Sequence, residues 1–118
     1  MFLAALCLAG NMYFEARGEP IDGQILVAEV TMNIAGAEAD VCATVFEDGE
    51  FSWTNDKDLA IKEPEAFLQS LTLAYEILEH GCILCTTATN FHTRDTKPYW
   101  AEHMTLIGGY GNHLFYKE

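Results

Sequence analysis

Glu15-Ala16-Arg17-Gly18-Glu19-Pro20, followed by Gly23-Gln24, is the stretch on which the reading of this chain turns. It is a short polar corner between two helix-forming apolar segments. Glu15 closes a run rich in Leu, Ala, Cys, Met, Tyr and Phe, so its carboxylate can face either an apolar wall or the solvent at a helix end. Burial disfavours the charged form and raises a carboxylate above its usual value of about 4.3. Such a group can hold a proton near neutral pH and give it to a leaving oxygen, as a general acid must.

Working outward, Leu3, Leu6, Gly10, Tyr13 and Phe14 recur at helical spacing and predict a first helix over residues 2 to 16 that ends near Arg17-Gly18. Pro20 suits the first turn of a second helix, where its missing N–H costs nothing. Ile21, Ile25, Ala28 and Met32 share one face of that helix, and Gly36 lies just beyond its end. The corner is therefore a rigid place to hold a reactive group. Glu19 stands beside the positive end of the second helix, where a charge–dipole role competes with contact to a substrate.

Asp40 can cap a short helix over 41 to 46, and Glu47-Asp48-Gly49-Glu50 reads as a turn. Phe51 to Asp58 lacks periodicity and carries aromatics, as a loop lining a cleft does. Pro64 opens a third long helix with Phe67, Leu71, Ala74 and Leu78 as its buried stripe and Gly81 at its end. Thr86 to Thr93 and Met104 to Ile107 are strand-like, and His113 to Tyr116 pairs with the latter across Gly108-Gly109-Tyr110-Gly111-Asn112. The expected fold is α+β, with three main helices and a small antiparallel sheet.

The chain has 118 residues, half of them apolar, which is enough for one core and one domain over 1 to 118. Its 18 acidic and 6 basic residues give a formal net charge of -12, which argues against nucleic acid and against anionic lipid. Residues 2 to 9 lack the positive flank of a signal peptide and fall short of a membrane span, so they are read as a core helix and no membrane insertion is expected. Cys82-Ile83-Leu84-Cys85 has a spacing found in redox and zinc motifs, but neither a βαβ context nor a second ligand pair accompanies it. Cys7, Cys42, Cys82 and Cys85 are read as buried free thiols, with a pairing of Cys42 with Cys82 or Cys85 left open for an oxidising compartment.

Glu15 to Pro20, Gly23-Gln24, Asn33, Val41-Cys42, Phe51-Ser52-Trp53-Thr54, Ala88-Thr89-Asn90-Phe91-His92, Lys97-Pro98-Tyr99-Trp100-Ala101 and Asn112-His113-Leu114-Phe115-Tyr116 occur in this order. In that order they closely resemble the cell wall hydrolases of the SleB/CwlJ type, which include spore cortex-lytic enzymes and phage lysins. The resemblance covers about residues 5 to 117. It implies a small lysozyme-like domain that cleaves the peptidoglycan strand between N-acetylmuramic acid and N-acetylglucosamine as a lytic transglycosylase. It also implies one glutamate, falling on Glu15, and no metal or other cofactor. Two departures stand out: Ile34 follows Asn33 where the family usually has Arg, and Gly109-Tyr110-Gly111 looks like an insertion.

Peptidoglycan glycan strands are thus the expected partner of a monomer. The working place is either a host cytoplasm until release to the wall, as for a phage lysin, or the wall itself, as for a domain of an exported enzyme. Because the wall is also anionic, grip on the sugars must come from stacking and hydrogen bonds. Trp53 and Trp100 are the expected stacking rings, with Tyr99 and Phe91 either beside them or in the core. Ser52, Thr54, Asn90, Thr93 and His92 are the expected polar contacts, and Glu19 completes the candidate set. A hydrolytic glycosidase would need a second carboxylate, for which Glu19, Glu29, Asp56 and Asp58 are candidates. A zinc amidase would need His92, His103 and His113 to converge, although they lack the spacing of a zinc motif. A non-catalytic wall-binding module would keep the aromatics without needing Glu15.

Overall fold

The computed structural model describes every residue of the chain except Lys57, so that one position of the expected 51–58 loop lies outside the described residues. Four α-helices and a three-stranded sheet are joined by short 3-10 turns: α1 Phe2–Ala16, α2 Ile21–Ala35, α3 Val41–Val45, α4 Pro64–His80, β1 Asn90–Thr93, β2 Thr105–Tyr110 and β3 His113–Lys117. The architecture is α+β, as the sequence predicts. None of the described helices is long and apolar enough to cross a membrane.

α1 is the hub, packing on α2, α3 and α4. Its buried apolar residues are Ala4, Ala5, Leu8, Ala9, Met12, Tyr13 and Ala16, with Asn11 the one buried polar side chain among them, so small side chains let three neighbours approach. The expected stripe through Leu3 is therefore displaced, and Leu3 itself is exposed. A helix that is apolar all round carries no periodic signal to choose its buried face. α2 is likewise buried along Gly23–Thr31, while Ile21, at the start of the apolar face it shares with Ile25, is exposed. Gly36 ends α2 in the left-handed region at φ 79°, with its N–H on the Met32 carbonyl at 2.8 Å. Asp40 stands at the start of α3, but its side chain makes no capping hydrogen bond.

The cysteines pair in a way the sequence reading does not anticipate. Cys7–Cys42 ties α1 to α3, and Cys82–Cys85 closes the loop after α4. No free thiol remains among the described residues, and neither expected partner of Cys42 is the one it takes. Cys7 and Cys42 meet because α3 folds back onto α1 across 35 residues, a tertiary fact that spacing does not encode.

The sheet runs β1-β3-β2, antiparallel throughout. Of the expected 86–93 strand only Asn90–Thr93 pairs; the segment before it is held by the Asn33 side-chain amide, which donates to the carbonyls of Thr86 at 2.9 Å and Ala88 at 2.8 Å. β2 continues through Tyr110, opposite His113, with a bulge between Leu106 and Gly108. The hairpin turn is therefore Gly111-Asn112 alone, shorter than the five-residue connection expected. Gly111 has φ 55°, and a Cβ there would collide with the Glu19 carboxylate. The hairpin tip is thereby pressed onto the α1–α2 corner.

Candidate active site

Glu15 sits on the last turn of α1 and opens into a cleft of about 400 Å³. α2 supplies Val30 and Ile34 to this cleft, the 49–52 segment supplies Glu50, Phe51 and Ser52, and β1 with its approach supplies Thr89 to Thr93. Thr96, Trp100 and His113 complete the lining. The lining thus mixes apolar Val30, Ile34, Phe51 and Phe91 with polar side chains. No described side chain or backbone group bonds the Glu15 carboxyl, and burial alone pushes its pKa from 4.5 up to about 7. At that value the group can exchange a proton near neutral pH.

The expected contact residues divide sharply. Ser52, Asn90, His92 and Trp100 line the cleft, as do Phe91 and Thr93. His92 bonds the Tyr116 hydroxyl at 2.9 Å and stacks on its ring, and Trp100 meets both rings edge-on. These contacts hold Trp100 at the rim without covering it.

Trp53 does not line the cleft. It is 8% exposed, stacks on Phe14 at 4.6 Å, and donates its Nε1–H to Asn11 Oδ1 at 2.7 Å. Asn11 in turn donates to the Thr31 hydroxyl at 2.9 Å, which donates to the Val27 carbonyl at 2.9 Å. Trp53 is thus a core residue that anchors the 52–55 turn through a buried polar chain. Thr54 turns its hydroxyl onto the Phe51 carbonyl at 2.9 Å and is also outside the cleft. Tyr99 is 84% exposed and lies away from the lining. Glu19 faces the hairpin instead, its Oε1 accepting the Asn112 N–H at 2.6 Å.

None of the four expected second carboxylates reaches the cleft. Glu29 is buried and accepts three backbone N–H groups, from Ile83 at 2.6 Å, Leu84 at 2.9 Å and Thr86 at 3.1 Å. Asp58 pairs with Lys62 at 3.0 Å on the surface, and Asp56 is exposed. The carboxylate that does share the lining with Glu15 is Glu50, whose pKa burial and then Glu47 push up. Read as one residue of a surface turn, it gave no sequence signal. His113 is hidden for a different reason: in the sequence its only chemical reading is that of a metal ligand. Among the described residues no three His, Cys, Asp or Glu side chains form a metal-holding group.

The cell wall hydrolase family matches residues 18–116. The chain belongs to that family. It is therefore a peptidoglycan-degrading enzyme, and Glu15 lies three residues before the matched span. No curated protein matches the chain. Among solved structures, the catalytic domain of the germination-specific lytic transglycosylase SleB from Bacillus anthracis is 25% identical, with a TM-score of 0.76 over 97% of this chain and 93% of that one. The catalytic domain of the Bacillus cereus SleB protein is 26% identical, with a TM-score of 0.74 over 98% and 91%.

Proposed function

We propose that this enzyme cleaves the bond between N-acetylmuramic acid and N-acetylglucosamine as a lytic transglycosylase, with Glu15 as its single acid and base. The observation that carries the reading is the unpartnered Glu15 carboxyl in the cleft, held near a pKa of 7 by burial. The lytic transglycosylase activity named for the Bacillus anthracis structure supports the same choice.

In the first step the Glu15 acid protonates the glycosidic oxygen as the bond from C1 of the muramic acid breaks. Glu15 is now a carboxylate facing a cationic sugar. It then takes the proton of that sugar's own C6 hydroxyl while the C6 oxygen bonds C1. Glu15 ends protonated, no water is consumed, and the product carries a 1,6-anhydro ring. One enzyme carboxylate is enough because the attacking group belongs to the substrate. A group with a pKa near the working pH suits both halves of this cycle.

Burial shields Glu15, and the Trp100 ring with the Ser52, Asn90 and Thr93 side chains offers stacking and hydrogen bonds to an uncharged stretch of glycan. The two disulfides support work in an oxidising compartment, at the wall rather than in a reducing cytoplasm. Mass spectrometry of muropeptides released from purified wall tests the reaction. Anhydro-muramic ends, lighter by one water than reducing ends, are expected. Reducing muramic ends would make the enzyme a muramidase, reducing glucosamine ends a glucosaminidase, and free stem peptides an amidase.

A further inference from the structure

His113 opens β3 and lines the cleft with Glu15, yet it is almost wholly enclosed. Its Nδ1 is the one enclosed side-chain nitrogen or oxygen among the described residues that lacks a hydrogen-bond partner. Such atoms are rare and call for an explanation. The facing group is Glu19, whose Oε1 lies 3.6 Å from Nδ1. That same oxygen holds the Asn112 N–H at 2.6 Å, so the carboxylate is tied beside the ring and cannot swing away. A ring lone pair turned towards a carboxylate oxygen would be repelled, whereas an N–H would be attracted. The proton therefore belongs on Nδ1.

The other ring nitrogen has the opposite surroundings. Nε2 makes no hydrogen bond to any described residue and is not among the enclosed unpartnered atoms, so it keeps the small accessible surface the ring has, and the cavity that His113 lines is the cleft. Phe91 meets the ring edge-on at 5.2 Å and 81°, and Phe115 at 6.1 Å and 65°, which fixes its plane. Burial lowers the His113 pKa from 6.5, Glu19 opposes this, and His92 on β1 adds to it. The ring is accordingly neutral at neutral pH, with one nitrogen free to accept.

We propose that Glu19 is a positioning residue that holds His113 as the Nδ1–H tautomer, leaving Nε2 as a fixed hydrogen-bond acceptor for a hydroxyl or acetamido N–H of the glycan. The inference rests on the glycan-cleaving reading above, and it reassigns Glu19 from substrate contact to the support behind one. A Glu–His pair of this kind orients an imidazole much as a carboxylate does behind a metal-bound or catalytic histidine. The 3.6 Å separation is long for a hydrogen bond, and contacts of this type commonly tighten when substrate is bound.

Nitrogen-15 NMR of the imidazoles tests it directly. In the free protein His113 should show a protonated Nδ1 and an unprotonated Nε2, and Glu19→Gln, which keeps an acceptor for Asn112 but can also donate to the ring, should give a mixture of tautomers. Titrating the non-cleaving Glu15→Gln protein with a soluble tetrasaccharide of alternating N-acetylglucosamine and N-acetylmuramic acid should move the Nε2 signal far more than Nδ1. His113→Phe, which keeps the packing against Phe91 and Phe115, should lower kcat/KM about ten-fold, the scale of one hydrogen bond. An Nε2–H tautomer in the free protein would overturn the role of Glu19. An Nε2 signal unmoved at saturating saccharide would overturn the contact, whether or not the phenylalanine variant folds. A saccharide that fails to bind would overturn the glycan reading itself, while the tautomer still decides the Glu19 half.

Discussion

Glu15 in the cleft at the end of α1 and Glu29 in a socket in the middle of α2 are both withdrawn from water, and their surroundings differ in kind. Glu29 is the more deeply buried, yet three backbone N–H groups from the Cys82–Cys85 loop and Thr86 converge on it. Glu15 is only half-buried, yet nothing described bonds it, and its pKa rises to about 7. Burial alone therefore does not mark the proposed reactive group. What separates the two is the supply of donors: a socket that solvates an anion makes a structural clamp, and an apolar wall that does not solvate it makes an acid.

The largest expected effect breaks the comparison on the cleft side. Glu15→Gln removes the group proposed to give and recover the proton, so lysis of purified wall should fall by roughly two to four orders of magnitude. The same change should make the protein more stable at alkaline pH. A carboxyl whose pKa is higher folded than unfolded contributes stability below about 4.5 that is lost as pH rises through about 7. The amide does not ionise, so at pH 8 the variant should gain up to about 3 kcal/mol, an upper bound because Glu15 is only partly shielded. Thermal unfolding at pH 5 and pH 8 measures this. A variant that loses activity and also loses stability at pH 8 would mean that the carboxyl supports the fold after all.

Next in size is the contrast between the two tryptophans, which lie in similar sequence and end in different places. Trp53→Ala opens the core and severs the chain through Asn11 and Thr31, and should cost about 3–5 kcal/mol of stability. Trp100→Ala removes a rim ring and should leave the melting temperature near that of the wild type while weakening sedimentation with insoluble wall. Early unfolding of Trp100→Ala, or normal stability of Trp53→Ala, would reverse the assignment.

The tryptophans also show where sequence reading stops. Both stand beside polar residues, and what sends Trp53 inward is Asn11, forty-two positions away, a partner no local pattern reveals. Boundaries set by Pro20, Gly36, Pro64 and Gly81 were legible because each acts through its own backbone. Glu15 was legible because it is a lone carboxylate at the end of an apolar run. The buried face of α1, both disulfide pairings, and the arrival of Glu50 and His113 in the cleft are tertiary facts. The inner face of an all-apolar helix and the destination of a turn glutamate depend on neighbours distant in the chain.

On the socket side, Glu29→Gln leaves one acceptor oxygen and a donating amide where three N–H groups converge. It should destabilise the fold by about 2–3 kcal/mol. Activity per folded molecule should change little below the melting transition, because Glu29 does not line the cleft. A loss of turnover comparable to that of Glu15→Gln, in protein shown by circular dichroism to be folded, would erase the distinction between clamp and acid.

The smallest expected effect concerns the second carboxylate in the cleft, and it separates the two ways of cleaving a glycan. A retaining or inverting hydrolase needs a partner for its acid, as nucleophile or as the base that activates water. Glu50 is the described carboxylate that shares the cleft lining with Glu15. In the transglycosylase cycle it has no step to perform, because the substrate brings its own hydroxyl and Glu15 removes that proton. Glu50→Gln should therefore change the rate of anhydro-muramic product formation by only about two-fold, the scale of an exposed polar substitution. It should also leave the alkaline limb of the pH profile near 7, since the rise at Glu15 comes from burial and not from a neighbouring charge. A fall of several orders of magnitude, or a change in the released ends from anhydro to reducing, would make Glu50 a working partner and the enzyme a hydrolase with two carboxylates.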